Sequence, residues 1–203
     1  MSASGADGRT AVEVRFHGRG GQGVVTAAEL LSVAAFSEGR HAQAFPSFGS
    51  ERTGAPVVAF CRVDDSPIRL REPIVDPDAV IIQDPSLLPQ VDVLAGLKPT
   101  GYLLVNSSRS WAELGLDAVV AGLPAGHAVA VPATALARTH VGRPVPNAAL
   151  LGAFAALTGL MSLTAVQAAI ESRFPPDVAA GNVAAARAAF DAVVVEMGVP
   201  NSA

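Results

Sequence analysis

The sequence predicts an α/β fold, with a mostly parallel mixed sheet, helices on both faces and a helical C-terminal part. Three observations lead there. Ala11 to His17 (AVEVRFH) alternates apolar and polar residues as a strand does, runs into the turn Gly18 to Gly23 (GRGGQG), and continues as an Ala-rich run. Short apolar runs then alternate with helical segments. From Asn147 onward the pattern is helical and Ala-rich.

Taken in order, the first strand is followed by a helix over Val24 to Phe36, and Val57 to Val63 (VVAFCRV) reads as the next clear strand. Pro67 to Leu70 is expected as its hairpin partner across Asp64, Asp65 and Ser66, which makes the sheet mixed. Strands follow at Ala79 to Gln83, Tyr102 to Val105 and Ala128 to Val131, with helices at Pro89 to Gly96 and Ala133 to His140 between or after them. The last helices are Ala148 to Leu157, Ala165 to Arg173 and Val183 to Met197.

The chain has 203 residues, 50% of them hydrophobic and 16% charged, with a formal net charge of -4. Such a chain buries one sizeable core and is neither disordered nor a general nucleic-acid binder. The domain is expected over 11–198, with tails at 1–10 and 199–203. A mean hydropathy of +0.40 and the uncharged stretch Pro144 to Ile170 raise the question of a membrane. Gly159 as a helix stop, with Thr164 and Gln167 at capping-box spacing, splits that stretch into two short helices, so no span is expected. Met1 to Thr10 lacks the apolar core of a signal peptide, and the expected location is cytoplasmic.

Gly18, Gly20 and Gly23 satisfy GxGxxG between a strand and a helix, where glycines let the backbone approach an anion and the helix N-terminus faces it. Two absences narrow the ligand. No acidic residue closes His41 to Phe45 where a dinucleotide ribose would need one, and Val24, Val25 and Thr26 stand where a phosphate-binding P-loop needs Lys then Ser or Thr. Pro46 to Pro56 (PSFGSERTGAP) is a second turn-rich loop, expected to meet the first at one end of the sheet. There Arg52 offers a forked donor, and Ser47, Ser50 and Thr53 offer hydroxyls. A ligand-free surface arrangement of Glu51 and Arg52 remains the alternative.

The segments Arg15 to Val25 (RFHGRGGQGVV), Ala42 to Arg52 (AQAFPSFGSER) and Gly54 to Val57 (GAPV) together resemble the gamma subunit of the 2-oxoacid:acceptor oxidoreductases, the pyruvate:ferredoxin oxidoreductase family. Asp76 to Asp84 and Asn147 to Gly152 (NAALLG) are similar to it as well. The resemblance implies a Rossmann-like domain with no catalytic residue of its own, in an enzyme that oxidatively decarboxylates a 2-oxoacid and forms an acyl-coenzyme A. It implies thiamine diphosphate, magnesium and iron–sulfur clusters in partner subunits of alpha, beta and delta type, with ferredoxin or another acceptor module taking the electrons. It implies contact with coenzyme A at Gly18, Arg19, Gly20, Gly21, Gln22 and Gly23 and at Ser47, Phe48, Gly49, Ser50, Glu51, Arg52, Thr53 and Gly54. Many relatives carry an arginine where this chain has Thr53, so Arg52 or Arg19 is expected to supply the charge. A freestanding Rossmann-type nucleotide-dependent enzyme and a purely structural assembly subunit are the alternatives.

One cysteine cannot ligate a cluster by itself, and Cys61, in an apolar strand, reads as a small buried residue. His17, His41, His127 and His140 show no metal-pair spacing, so no metal site is expected. Asp84 reads as the start of a turn, Asn147 as a helix N-cap and Trp111 as packing.

Overall fold

The computed structural model describes residues 11–47 and 53–198. Its centre is a six-stranded sheet of order β2-β3-β1-β4-β5-β6, formed by β1 (Val12–Arg19), β2 (His41–Pro46), β3 (Pro56–Asp64), β4 (Ala79–Ile82), β5 (Tyr102–Asn106) and β6 (Ala128–Val131). β1, β4, β5 and β6 run parallel, while β3 is antiparallel to both β1 and β2. The sheet is mixed, but the expected hairpin is not the cause. Both edges of β3 are occupied, by β1 (Val14 opposite Cys61) and β2 (Ala44 opposite Cys61), so Pro67 to Leu70 has no edge to join and forms no strand. Instead the buried Arg62 reaches the Leu70 carbonyl and pairs with Glu13.

One face carries the main helical layer: α1 (Val24–Ser37), α4 (Ala133–Val141), α5 (Asn147–Thr158), α6 (Leu163–Arg173) and α7 (Pro176–Met197). Val14, Phe16, Cys61 and Ile81 point into it. The opposite face, with Val80, Ile82, Leu103 and Val105, is covered by the short helices α2 (Trp111–Leu114) and α3 (Asp117–Gly122) and by the irregular segment 85–97. β4 is apolar throughout because both its faces are covered.

The period of two that sends Val14 and Phe16 into the helical layer sends Arg15 and His17 to the other face, where both are buried. Arg15 donates to the carbonyls of Ile74, Val75, Val93 and Ala95, and its Nε–H to His17 Nε2 at 2.9 Å. This explains why Pro89 to Gly96 is not the expected helix: the Val93 and Ala95 carbonyls turn toward a guanidinium, and only a 3-10 turn over Pro85–Leu87 forms nearby. α2, not among the expected helices, does carry a readable signal, a capping box between Ser110 and Glu113.

In the helical layer α5 and α7 cross closely. A Cβ on Gly152 would sit 2.0 Å from the Ala186 carbonyl oxygen, so the contact requires glycine. α6 starts two residues before the expected capping box: Ser162, in extended conformation, accepts the Ala165 N–H at 3.1 Å, and Thr164 lies within the first turn. α7 begins at Pro176, ahead of the expected Val183, because proline suits the first helical position. By length and composition α7 is long and apolar enough to cross a membrane, and its Ala185, Ala186, Ala189 and Val193 are buried in this core.

Candidate functional site

The C-terminal ends of β1, β2 and β4 and the start of β3 lie along one edge of the sheet, at the point where successive strands switch from one side of β1 to the other. That is where an open α/β sheet leaves its ligand crevice. The glycine turn closes β1 there. Gly21 (φ 89°) and Gly23 (φ 71°) are left-handed, and a Cβ on Gly18 would come within 2.6 Å of Val24. Gln22 steadies the turn from both groups: its N–H donates to the Arg19 carbonyl, and its Oε1 accepts the Arg19 N–H at 2.8 Å.

The second loop meets this turn as expected. Gly20 N–H donates to Ala55 O at 2.9 Å, Gly54 N–H to Gly20 O at 3.0 Å, and Thr53 bridges to Gly20. Ser47 follows β2 at the same edge, its N–H donating to Val58 O. Phe48, Gly49, Ser50, Glu51 and Arg52 lie outside the described residues. Among the described residues α1 has no side-chain cap and no acidic residue in its first turn. Its N-terminus opens onto a hollow of about 320 Å³ lined by Arg19, Gly20, Gly21, Gly23, Val24 to Thr26 and Val57. First-turn N–H groups without a side-chain cap and a positive helix end there suit a negatively charged group.

Arg19 ties three segments together. Nη1 donates to Gly54 O at 3.0 Å, Nε and Nη2 to Ser86 Oγ, and Nη2 to Gln90 Oε1, while Nε faces Asp84 Oδ2 at 3.3 Å. Asp84 is indeed a turn residue, accepting the Ser86 N–H as cap of the 3-10 turn, but it also takes a 2.7 Å bond from Gln22 Nε2. Partial burial works against its ionisation. The bonds from Ser86 and Gln22 and the charge of Arg19 together outweigh that and hold its carboxyl below the ordinary value.

Behind the turn lie two buried amides. Asn147 is not the N-cap of α5; Pro146 holds that position, and the Asn147 side chain reaches the glycine turn, donating to Gly23 O at 2.9 Å. Gln83 Nε2 donates to Gln22 O and to Asn147 Oδ1, and among the described residues Gln83 Oε1 has no partner. A buried acceptor left in that state costs about 1–3 kcal/mol.

Next to the turn a cleft of about 510 Å³ opens over the ends of β4, β5 and β6. Asn106 joins its walls, donating to Gln83 O and Thr134 Oγ1 and accepting the Thr134 N–H; the exposed Arg109 and Arg138 stand at its mouth. Sequence reasoning missed Gln83, Asn106, Arg109 and Arg138 as parts of this edge. The readable signal was a polar residue placed directly after an apolar strand, as in AVIIQ and YLLVN.

The remaining reactive side chains have structural surroundings. His17 is buried; burial, and then the charge of Arg15, lower its pKa to about 4, so it is neutral and accepts from Arg15. His127 stacks on Tyr102 with ring centroids 4.1 Å apart. Cys61 is fully buried, which pushes its thiol pKa up and makes it a poor nucleophile or metal ligand. Among the described residues no three His, Cys, Asp or Glu side chains gather as a metal site.

The sequence model of the family "Pyruvate ferredoxin/flavodoxin oxidoreductase" matches residues 13–192. The pyruvate/ketoisovalerate oxidoreductases common subunit gamma of Thermococcus kodakarensis is 50% identical over 184 residues, which is 91% of this chain and 98% of that protein. The crystal structure of pyruvate oxidoreductase subunit PORC from Thermotoga maritima superposes with a TM-score of 0.76 at 34% identity, over 90% of this chain and 97% of that one. A chain of the 2-oxoglutarate:ferredoxin oxidoreductase from Magnetococcus marinus, solved with 2-oxoglutarate, coenzyme A and succinyl-CoA bound, matches with a TM-score of 0.69 over 96% of this chain and 32% of that one. At 17% identity that last likeness is one of fold.

Proposed function

Since the chain belongs to the pyruvate ferredoxin/flavodoxin oxidoreductase family and is a gamma subunit of a 2-oxoacid:ferredoxin oxidoreductase, we propose that its task in that enzyme is to position coenzyme A and to hold the assembly together. The enzyme converts a 2-oxoacid, coenzyme A and oxidised acceptor into acyl-coenzyme A, carbon dioxide and reduced acceptor. The observation that carries the proposal is the uncapped N-terminus of α1 behind a left-handed glycine turn, with Arg19 beside it. Coenzyme A brings phosphates, and the donors present fit them: backbone N–H groups, a helix dipole and a guanidinium, with no carboxylate in the first turn of α1.

In this reading the bond-breaking chemistry belongs to other chains. Partner subunits of alpha, beta and delta type would hold thiamine diphosphate with magnesium, which would supply the decarboxylation chemistry, and iron–sulfur clusters, which would supply the path of the two electrons to ferredoxin or another acceptor module. The lone, buried Cys61 supports that division, since a cluster needs several cysteine thiolates. Selectivity for the oxoacid is also placed elsewhere. The relative from T. kodakarensis is named as common to pyruvate and ketoisovalerate oxidoreductases, and a subunit shared by both is poorly placed to choose between their acids. Residues 11–198 act as one domain, in the cytoplasm.

Purification of the chain in its native assembly tests the proposal. The preparation is expected to carry thiamine diphosphate and iron–sulfur clusters and to form acyl-coenzyme A from at least one 2-oxoacid with ferredoxin. A chain that purifies alone, without those groups, would contradict it. One observation favours a second reading, an assembly subunit whose loops touch only protein: Arg19 is already engaged by Gly54, Ser86, Gln90 and Asp84 of its own chain. That reading requires no coenzyme A within contact of Arg19 in the assembled enzyme.

A further inference from the structure

We propose that Gln83 and Asn147 are positioning residues for the anion site of the glycine turn, setting the direction in which its backbone N–H groups point. The inference rests on the reading that coenzyme A binds there. In a planar trans peptide the C=O and the following N–H point in opposite directions. Gln83 Nε2 holds the Gln22 carbonyl, and Asn147 Nδ2, at 2.9 Å, joins the Ala27 N–H of α1 in holding the Gly23 carbonyl. The N–H groups of Gly23 and Val24 are thereby turned the other way, and Gly23 and Val24 line the hollow at the start of α1. Gln83 Nε2 also donates to Asn147 Oδ1 at 3.0 Å, so the two amides form one unit anchored in β4 and α5. The fit is tight: a Cβ on Gly23 would lie 2.4 Å from Asn147 Nδ2.

The amide of Gln83 is satisfied on its donor side alone. Its two donors serve the Gln22 carbonyl and Asn147, which fixes the amide's orientation and strands Oε1, buried and unpaired. An apolar side chain of similar length would remove that penalty only by leaving Gln22 O and Asn147 Oδ1 without their donor. The fold keeps an unpaired acceptor in order to hold the turn, and an unpaired buried group of this kind calls for a role other than packing.

The test uses the assembled enzyme with Gln83→Met, Asn147→Leu and, as reference, Arg19→Ala in this subunit. Readouts are KM for coenzyme A, KM for the 2-oxoacid and the temperature of thermal inactivation. Gln83→Met relieves the stranded Oε1 but leaves Gln22 O and Asn147 Oδ1 without their donor, so the inactivation temperature serves only to check assembly. KM for coenzyme A is expected to rise about 3- to 10-fold, the worth of about one hydrogen bond, with KM for the 2-oxoacid unmoved. Asn147→Leu is expected to raise KM for coenzyme A in the same way, and it carries the test if the methionine variant does not assemble. If Arg19→Ala raises KM for coenzyme A and neither amide variant does, the positioning role is overturned and the coenzyme A reading stands. If none of the three moves it, the coenzyme A reading itself fails.

Discussion

Arg19 Nε and Asp84 Oδ2 stand 3.3 Å apart across the ends of β1 and β4, and Gln22 Nε2 joins the same carboxylate oxygen at 2.7 Å. Because the folded state holds the Asp84 carboxyl below its ordinary value, this clasp stabilises fully above the unfolded carboxyl value of about 3.9 and is lost as pH falls through the lower folded value. Urea unfolding of the wild type and Asp84→Asn should therefore differ at pH 6 and converge toward acid pH. A difference that stays constant with pH would show that the carboxylate charge is not what the clasp uses.

His17 gives the same pH axis a second slope. Its pKa falls from 6.5 to about 4 on folding, so the unfolded chain binds a proton between those values that the folded chain refuses. The part of stability that depends on His17 should fall as pH drops from 6.5 to about 4, by up to about 3 kcal/mol, and level off below. His17→Gln, which keeps an acceptor for Arg15, should flatten that slope in the same titration.

Arg15→Met should be among the most damaging substitutions outside the anion site. It leaves the carbonyls of Ile74, Val75, Val93 and Ala95 and the His17 ring nitrogen without their donor. The expected loss is at least about 3 kcal/mol, read by chemical unfolding or by loss of soluble subunit.

Gly152→Ala tests the crossing of α5 and α7. Alanine favours a helix over glycine by about 1 kcal/mol, yet its Cβ would meet the Ala186 carbonyl at 2.0 Å. Forcing the helices apart typically costs about 1–3 kcal/mol and more for backbone contacts, so a net fall in melting temperature is expected.

The parts of the fold that were legible in the sequence are those where local pattern and tertiary demand agree. The run from Val12 through the glycine turn into α1, and the apolar strands β4 to β6, needed only periodicity and glycine. Residues 67–70 and 89–96 were misread because distant partners decide them: β1 and β2 close both edges of β3, and Arg15 draws carbonyls that a helix would have used. The site divides in the same way. The glycine turn and Gly54 were visible as motifs, whereas Gln83 and Asn147 matter only through amides that reach across the chain to Gln22 and Gly23.

The account turns on whether coenzyme A meets this subunit at the start of α1. Amide hydrogen exchange of the whole assembled enzyme, with and without coenzyme A, measures that directly. Exchange is expected to slow at Gly20 to Thr26 and at Gly54 when coenzyme A is present. Protection confined to the partner subunits, with these amides unchanged, would contradict it.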